Sequence, residues 1–130
     1  MKVFVYGTLK PGEGNYPRYC EGKVLDSTPA YTDGHLYALN VGYPAMTLGD
    51  TQVSGVLLTF SDETILSDLD ELEDYDPTRP ASENLYQRES IRVYTPSGES
   101  LGTAWGYRMT FWRVQQLGGV FLSSGCWRGE

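Results

Sequence analysis

The chain has 130 residues, 40% of them hydrophobic, and a formal net charge of -7. That is enough apolar mass for one domain over 1–130 and too much for a disordered chain. The acidic balance excludes a nucleic-acid surface built on clustered Lys and Arg, and argues equally against attachment to an anionic membrane.

No apolar run is long enough to cross a bilayer, and Met1-Lys2 leads into a strand rather than a signal peptide. Cys20 and Cys126 lie far apart and outside any Cys-x-x-Cys pair. Free thiols and a cytoplasmic location are therefore the expectation. His35 is the single histidine, and no cysteine cluster accompanies it. A zinc site is therefore not expected. His35 itself reads as a surface or strand-edge residue.

Val3-Phe4-Val5-Tyr6 opens the chain as a strand suited to burial on both faces. Gly7 breaks it, and Lys10-Pro11-Gly12 closes the turn. Such a turn leaves backbone N–H groups unpaired, and a glycine lets a ligand sit against the main chain. Those N–H groups can receive an anion or a developing oxyanion, or the stretch is simply a strand ending in a turn. Residues 13–20 read as a loop with a short helical piece. Weak strand character over 23–31, a turn at Thr32-Asp33-Gly34 and a strand over 35–39 follow. Gly42-Tyr43-Pro44 is a bend, 45–48 a short strand, Gly49-Asp50 a hairpin-type turn, and 53–60 a strand.

Residues 62 to about 75 form the one clear helix, with Ser61 or Asp62 as its cap. A Pro-rich loop over 76–84 leads to a hairpin of strands 85–95 and 101–109 around Pro96-Ser97-Gly98-Glu99. The apolar mass between Phe111 and Trp127 should pack on the body. Many short strands with one good helix predict an α+β fold, its sheet largely antiparallel and curved or closed into a barrel.

The helix carries one carboxylate in an unexpected place. At about 100° per residue, Ile65, Leu66, Leu69 and Leu72 fall within an arc of roughly 120°. Glu71 and Asp74 lie on the far side, and Asp68 and Asp70 beyond the flanks. Glu73 falls inside the arc. Burying an ionised carboxylate is costly unless it is paired. Either Glu73 has a partner such as Arg88 or Arg92, or it faces a cavity, where its pKa would rise toward neutrality.

These stretches resemble a known family. Tyr6-Gly7-Thr8-Leu9 is similar to the Tyr-Gly-(Ser/Thr)-Leu signature of the γ-glutamylcyclotransferase-like superfamily. Leu69-Asp70-Glu71-Leu72-Glu73 resembles its Leu-Asp-x-x-Glu helix motif, Tyr86-Gln87-Arg88 its Tyr-x-Arg, and Gly125-Cys126-Trp127 a Gly-x-Trp of bacterial members. The order and spacing agree over nearly the whole chain. The resemblance implies a small mixed domain around a curved sheet or barrel. It implies a substrate-binding loop of Tyr6, Gly7, Thr8 and Leu9, with Glu73 as the catalytic acid/base. Tyr86 either lines the pocket or packs in the core. The stretch 74–84 is longer than in the animal γ-glutamylamine enzymes, so the leaving group stays open, and Arg79 either meets a second carboxylate or faces solvent.

The reaction implied is intramolecular aminolysis of a small γ-glutamyl substrate, giving 5-oxoproline and a free amine or amino acid without metal or cofactor. Two alternatives share the fold: a deprotecting enzyme acting on a specialised metabolite, and a non-catalytic small-molecule binding module.

Overall fold

The computed structural model describes residues 1–129. Six strands make one sheet: β1 (Lys2–Val5), β2 (Val24–Ala38), β3 (Pro44–Phe60), β4 (Gln87–Tyr94), β5 (Ser100–Arg108) and β6 (Val120–Phe121). Three α-helices, α1 (Tyr16–Tyr19), α2 (Ile65–Leu72) and α3 (Phe111–Gln116), and a short 3-10 turn over Ala81–Glu83 accompany them among the described residues. The strand order is β3-β1-β5-β4-β2-β6, and β3 also pairs with β2. Five strands thus close into a ring, with β6 added along β2. The β1–β5 contact is parallel, through Val3 and Trp105, and every other pairing is antiparallel. The closed α+β architecture agrees with the expectation.

Strand alternation on β1 builds two cores. Val3 and Val5 join Leu58, Phe60 and the buried face of α2, Ile65, Leu66 and Leu69. Phe4 and Tyr6 join Leu36, Met46, Val53, Leu57, Ile91, Val93 and Trp127. β1 is therefore buried on both faces, as its unbroken apolar run predicted.

Several expected boundaries differ. Thr32-Asp33-Gly34 is no turn, and neither is Gly49-Asp50. Both lie within one long β2–β3 hairpin whose register shifts between Gly34 and His35. The glycines permit this because a Cβ on Gly34 would stand 2.8 Å from the Thr47 carbonyl, so the strands press together where turns were expected. Helix α2 begins later than read. Asp62 accepts hydrogen bonds from the Thr64 N–H (2.9 Å) and hydroxyl (2.6 Å) in a tight turn before it. Ser61 plays no part in that cap. Beyond β5, Val114 and Trp127 are buried, whereas Phe111, Trp112, Val120 and Phe121 remain exposed. The tail therefore docks through fewer residues than its apolar content suggested.

Candidate functional site

A cavity of about 220 Å³ opens where β1 ends, bordered by the β2–β3 turn, the end of α2 and the entry to β4. Tyr6, Gly7, Thr8, Leu9, Glu73 and Tyr86 all line it, so the structure brings every sequence-predicted site residue to one place. Asn15, Tyr43, Pro44, Leu72, Leu85 and Tyr107, with Phe4 and Val5 of β1, complete the wall.

The Gly7 turn is fixed from several sides. The Lys10 N–H bonds the Gly7 carbonyl (3.1 Å), and Asn15 reaches Thr8 twice, backbone N–H to carbonyl and side-chain Nδ2 to Oγ1, each at 2.9 Å. Among the described residues, the backbone N–H groups of Gly7, Thr8 and Leu9 have no protein acceptor. Gly7 has a packing reason to be glycine, since a Cβ there would stand 2.7 Å from Pro44 Cγ. Its missing side chain makes room for Pro44, where the sequence suggested room for a ligand. With Asn15 occupying a lone pair of Thr8 Oγ1, the Thr8 hydroxyl keeps its proton for another acceptor.

Tyrosines tie the walls together. Tyr6 donates its hydroxyl proton to the Tyr107 carbonyl (2.7 Å) and accepts from the Met46 N–H (3.1 Å). Tyr86 donates to the Pro44 carbonyl (2.6 Å). Burial pushes all three hydroxyls, of Tyr6, Tyr86 and Tyr107, far above the usual phenol range. They stay neutral and act as rigid wall and hydrogen-bond donors.

Glu73 caps α2, its N–H bonded to the Leu69 carbonyl at 2.9 Å. The chain then turns sharply at Asp74, whose φ of 52° is left-handed. Leu85 N–H bonds the Asp74 carbonyl (3.0 Å), holding the helix end beside the start of β4. Among the described residues, no Lys or Arg lines the cavity. Burial raises the Glu73 carboxyl from an ordinary 4.5 to about 7, so both protonation states are populated near neutral pH.

Neither expected arginine pairs with Glu73. Arg88 bonds Asp70 at 2.9 Å, and the other Asp70 oxygen accepts from the Tyr107 hydroxyl at 2.7 Å. The guanidinium of Arg88 also lies over Trp105, 4.8 Å from its ring centre. Arg92 is exposed on β4. The helix wheel put Asp70 just outside the apolar arc, and that position lets it serve as the structural carboxylate while Glu73 faces the cavity. Arg79 bonds Asp74 and Asn84 (each 3.0 Å), stapling the 74–84 loop to itself and away from the cavity wall. His35 pairs with Asp50 at 3.0 Å and does not line this cavity. Both cysteines are free. Among the described residues there is no metal-binding group of three or more His, Cys, Asp or Glu and no helix long and apolar enough to cross a membrane.

The residues missed from sequence are Asn15, Tyr43, Pro44 and Tyr107. Asn15 lies in a polar loop without periodicity. Tyr43-Pro44 read only as a bend. Tyr107 was one tyrosine of ten, and its place depends on which strand pairs with β4.

Comparison with known proteins gives the family. The family described as Gamma-glutamyl cyclotransferase, AIG2-like, matches residues 3–129. A Gamma-L-glutamyl-butirosin B gamma-glutamyl cyclotransferase of Niallia circulans is 37% identical over 108 residues, covering 81% of this chain and 65% of that protein. A putative gamma-glutamylcyclotransferase of Vibrio cholerae is 36% identical over 105 residues, covering 81% of this chain and 78% of its own length. The crystal structure of YkqA from Bacillus subtilis superposes with a TM-score of 0.68 at 25% identity, over 97% of this chain and 39% of YkqA. The chain thus spans 65% of the butirosin relative and well under half of YkqA. The match over 3–129 places this chain in the gamma-glutamyl cyclotransferase, AIG2-like family.

Proposed function

We propose that this protein is a γ-glutamyl cyclotransferase that releases 5-oxoproline and a free amine or amino acid from a small γ-glutamyl substrate. One observation carries the reading: a carboxyl held near neutrality, Glu73, shares a small cavity with the unclaimed N–H groups of Gly7, Thr8 and Leu9. Family membership and the named cyclotransferase relatives support it.

The substrate's α-amine attacks its own γ-carbonyl carbon. A C–N bond forms within the five-membered ring as the bond to the leaving nitrogen breaks. Glu73 takes the proton from the α-ammonium and delivers it to that nitrogen, so one carboxylate serves both steps. The Gly7–Leu9 N–H groups and the Thr8 hydroxyl hold either the oxyanion or the α-carboxylate. Tyr6 and Tyr86 wall the cavity and keep the glutamyl chain bent. In favourable intramolecular cases such positioning is worth about 7–11 kcal/mol. The cavity is smaller than the roughly 300–1,000 Å³ of drug-sized sites, which suits a glutamyl group with its leaving portion at the mouth.

The test is incubation with a panel of γ-glutamyl amino acids, γ-glutamyl amines and glutathione, read by mass spectrometry for 5-oxoproline. Product from at least one substrate is expected. No product from folded protein with any of them overturns the assignment for these substrate classes.

A further inference from the structure

A second cavity, of about 550 Å³, lies beside one of the two seams where the barrel is joined by a single residue pair. β2 and β4 pair only at Tyr31 and Tyr94 and then diverge. The wedge between them is lined by His35 and Tyr37 of β2, Thr47 and Leu48 of β3, Gln87 and Glu89 of β4, Arg108 of β5 and Phe111 of α3. Tyr107 and Arg108 are successive residues of β5, so their side chains take opposite faces. Tyr107 lines the Glu73 cavity and Arg108 the wedge.

Arg108 is the unexplained group. Its side chain is only 17% exposed, and its one acidic neighbour among the described residues is the 46% exposed Glu89, an ion pair of 3.7 Å that is too long for a hydrogen bond. Its buried Nε has no partner. Arg88 also has an unpartnered Nε, but that guanidinium bonds Asp70 and lies over two aromatic rings. A guanidinium offers five donors in a planar fork that matches a carboxylate, and a mostly buried one is costly to leave unbonded. Beside Arg108 the wedge turns aromatic. Tyr37 contacts both Phe111 and Phe121, with ring centres 6.0 and 5.7 Å apart. Phe111 and Phe121 are themselves 52% and 45% exposed.

We infer that this wedge is a second ligand site, which takes a small carboxylate with a flat apolar body: the carboxylate on Arg108, the body against Tyr37 and Phe111. Charge complementarity selects the ligand's head and the aromatic wall its body. The ligand carboxylate takes the place of the half-exposed Glu89 carboxylate, whose 3.7 Å pairing with Arg108 is long and solvent-accessible.

The probes are benzoate, its neutral analogue benzamide, and acetate, each titrated into the 15N-labelled full chain and followed by NMR. Benzoate is expected to shift the amides of Gln87, Arg108 and Phe111 saturably, with benzamide and acetate each about tenfold weaker or more. Arg108→Gln should abolish benzoate binding in protein that keeps its dispersed spectrum. Phe111→Ser, at an exposed position, should reduce benzoate affinity toward that of acetate, and it decides the matter if Arg108→Gln fails to fold. The inference is overturned if benzoate gives no saturable shift, if benzamide binds as well as benzoate, if the shifts centre on Gly7–Leu9, or if folded Arg108→Gln binds benzoate unchanged.

Discussion

A carboxyl buried without a countercharge should cost the protein stability in a pH-dependent way, and Glu73 allows the cost to be worked out. Burial raises it from 4.5 to about 7. The folded state therefore holds this proton more tightly than the unfolded chain does. Between those two values the native protein binds more protons, so unfolding free energy falls as pH rises. The Glu73 contribution is fully present below pH 4.5 and is lost by the time pH has passed about 7. At about 1.4 kcal/mol per pKa unit, the full difference is roughly 3 kcal/mol. Glu73→Gln removes the ionisation while keeping the shape. It should be close to neutral in stability at pH 4 and more stable than wild type by about 2–3 kcal/mol at pH 8. For a chain of this size that is on the order of 10 °C in Tm. Urea unfolding of both proteins at several pH values, followed by circular dichroism, reads the difference directly. A Glu73→Gln variant less stable than wild type at pH 8, or a gap that does not change with pH, would refute the reasoning. The first result would mean that a partner satisfies the carboxylate in the native state, and the second that folding leaves its proton affinity unchanged.

Other perturbations test the supports of the site. Asp70→Asn breaks a mostly buried pair with Arg88 and a hydrogen bond from Tyr107; it should cost about 2–4 kcal/mol in urea unfolding, and a loss below about 0.5 kcal/mol, within the scatter of surface substitutions, would contradict the assignment of Asp70 as the structural carboxylate. Gly7→Ala forces a methyl against Pro44; a destabilisation of about 1–3 kcal/mol is expected, together with a lower kcat as the loop shifts, and unchanged stability and turnover would remove the packing argument. The pH dependence of 5-oxoproline release should rise through about pH 7 as Glu73 ionises to the form that accepts the ammonium proton; kcat flat from pH 5.5 to 8.5 would exclude Glu73 from the rate-limiting proton transfer.

Much of this architecture was legible in the sequence because short-range patterns decide it. Four consecutive apolar residues gave a strand buried on both faces, and β1 divides the two cores accordingly. The helix wheel separated Glu73 from its neighbours, and the cavity lies where that residue points. Gly125-Cys126-Trp127 also has a physical account. Gly125 takes a φ of +68°, its carbonyl receives the Ser54 N–H at 2.7 Å, and Trp127 is buried in the second core. What escaped depends on contacts between residues distant in the chain. Arg88 could have chosen Glu73 or Asp70, and only the placement of β4 and β5 beside α2 settles it. Gly34 and Gly49 looked like turn residues because glycine marks both turns and close strand contacts. Here the second use applies, and two apparent hairpins merge into one. Tyr107 joins the site through a strand register that no local pattern encodes.

The central claim is that Glu73 moves the proton in γ-glutamyl cyclisation. Its most direct test is kcat of wild type and Glu73→Gln on the best substrate of the panel, with both proteins shown to be folded. The account predicts a loss of roughly 10²–10⁴-fold or more in kcat, with substrate affinity largely retained. A Glu73→Gln variant that turns over at the wild-type rate would contradict it.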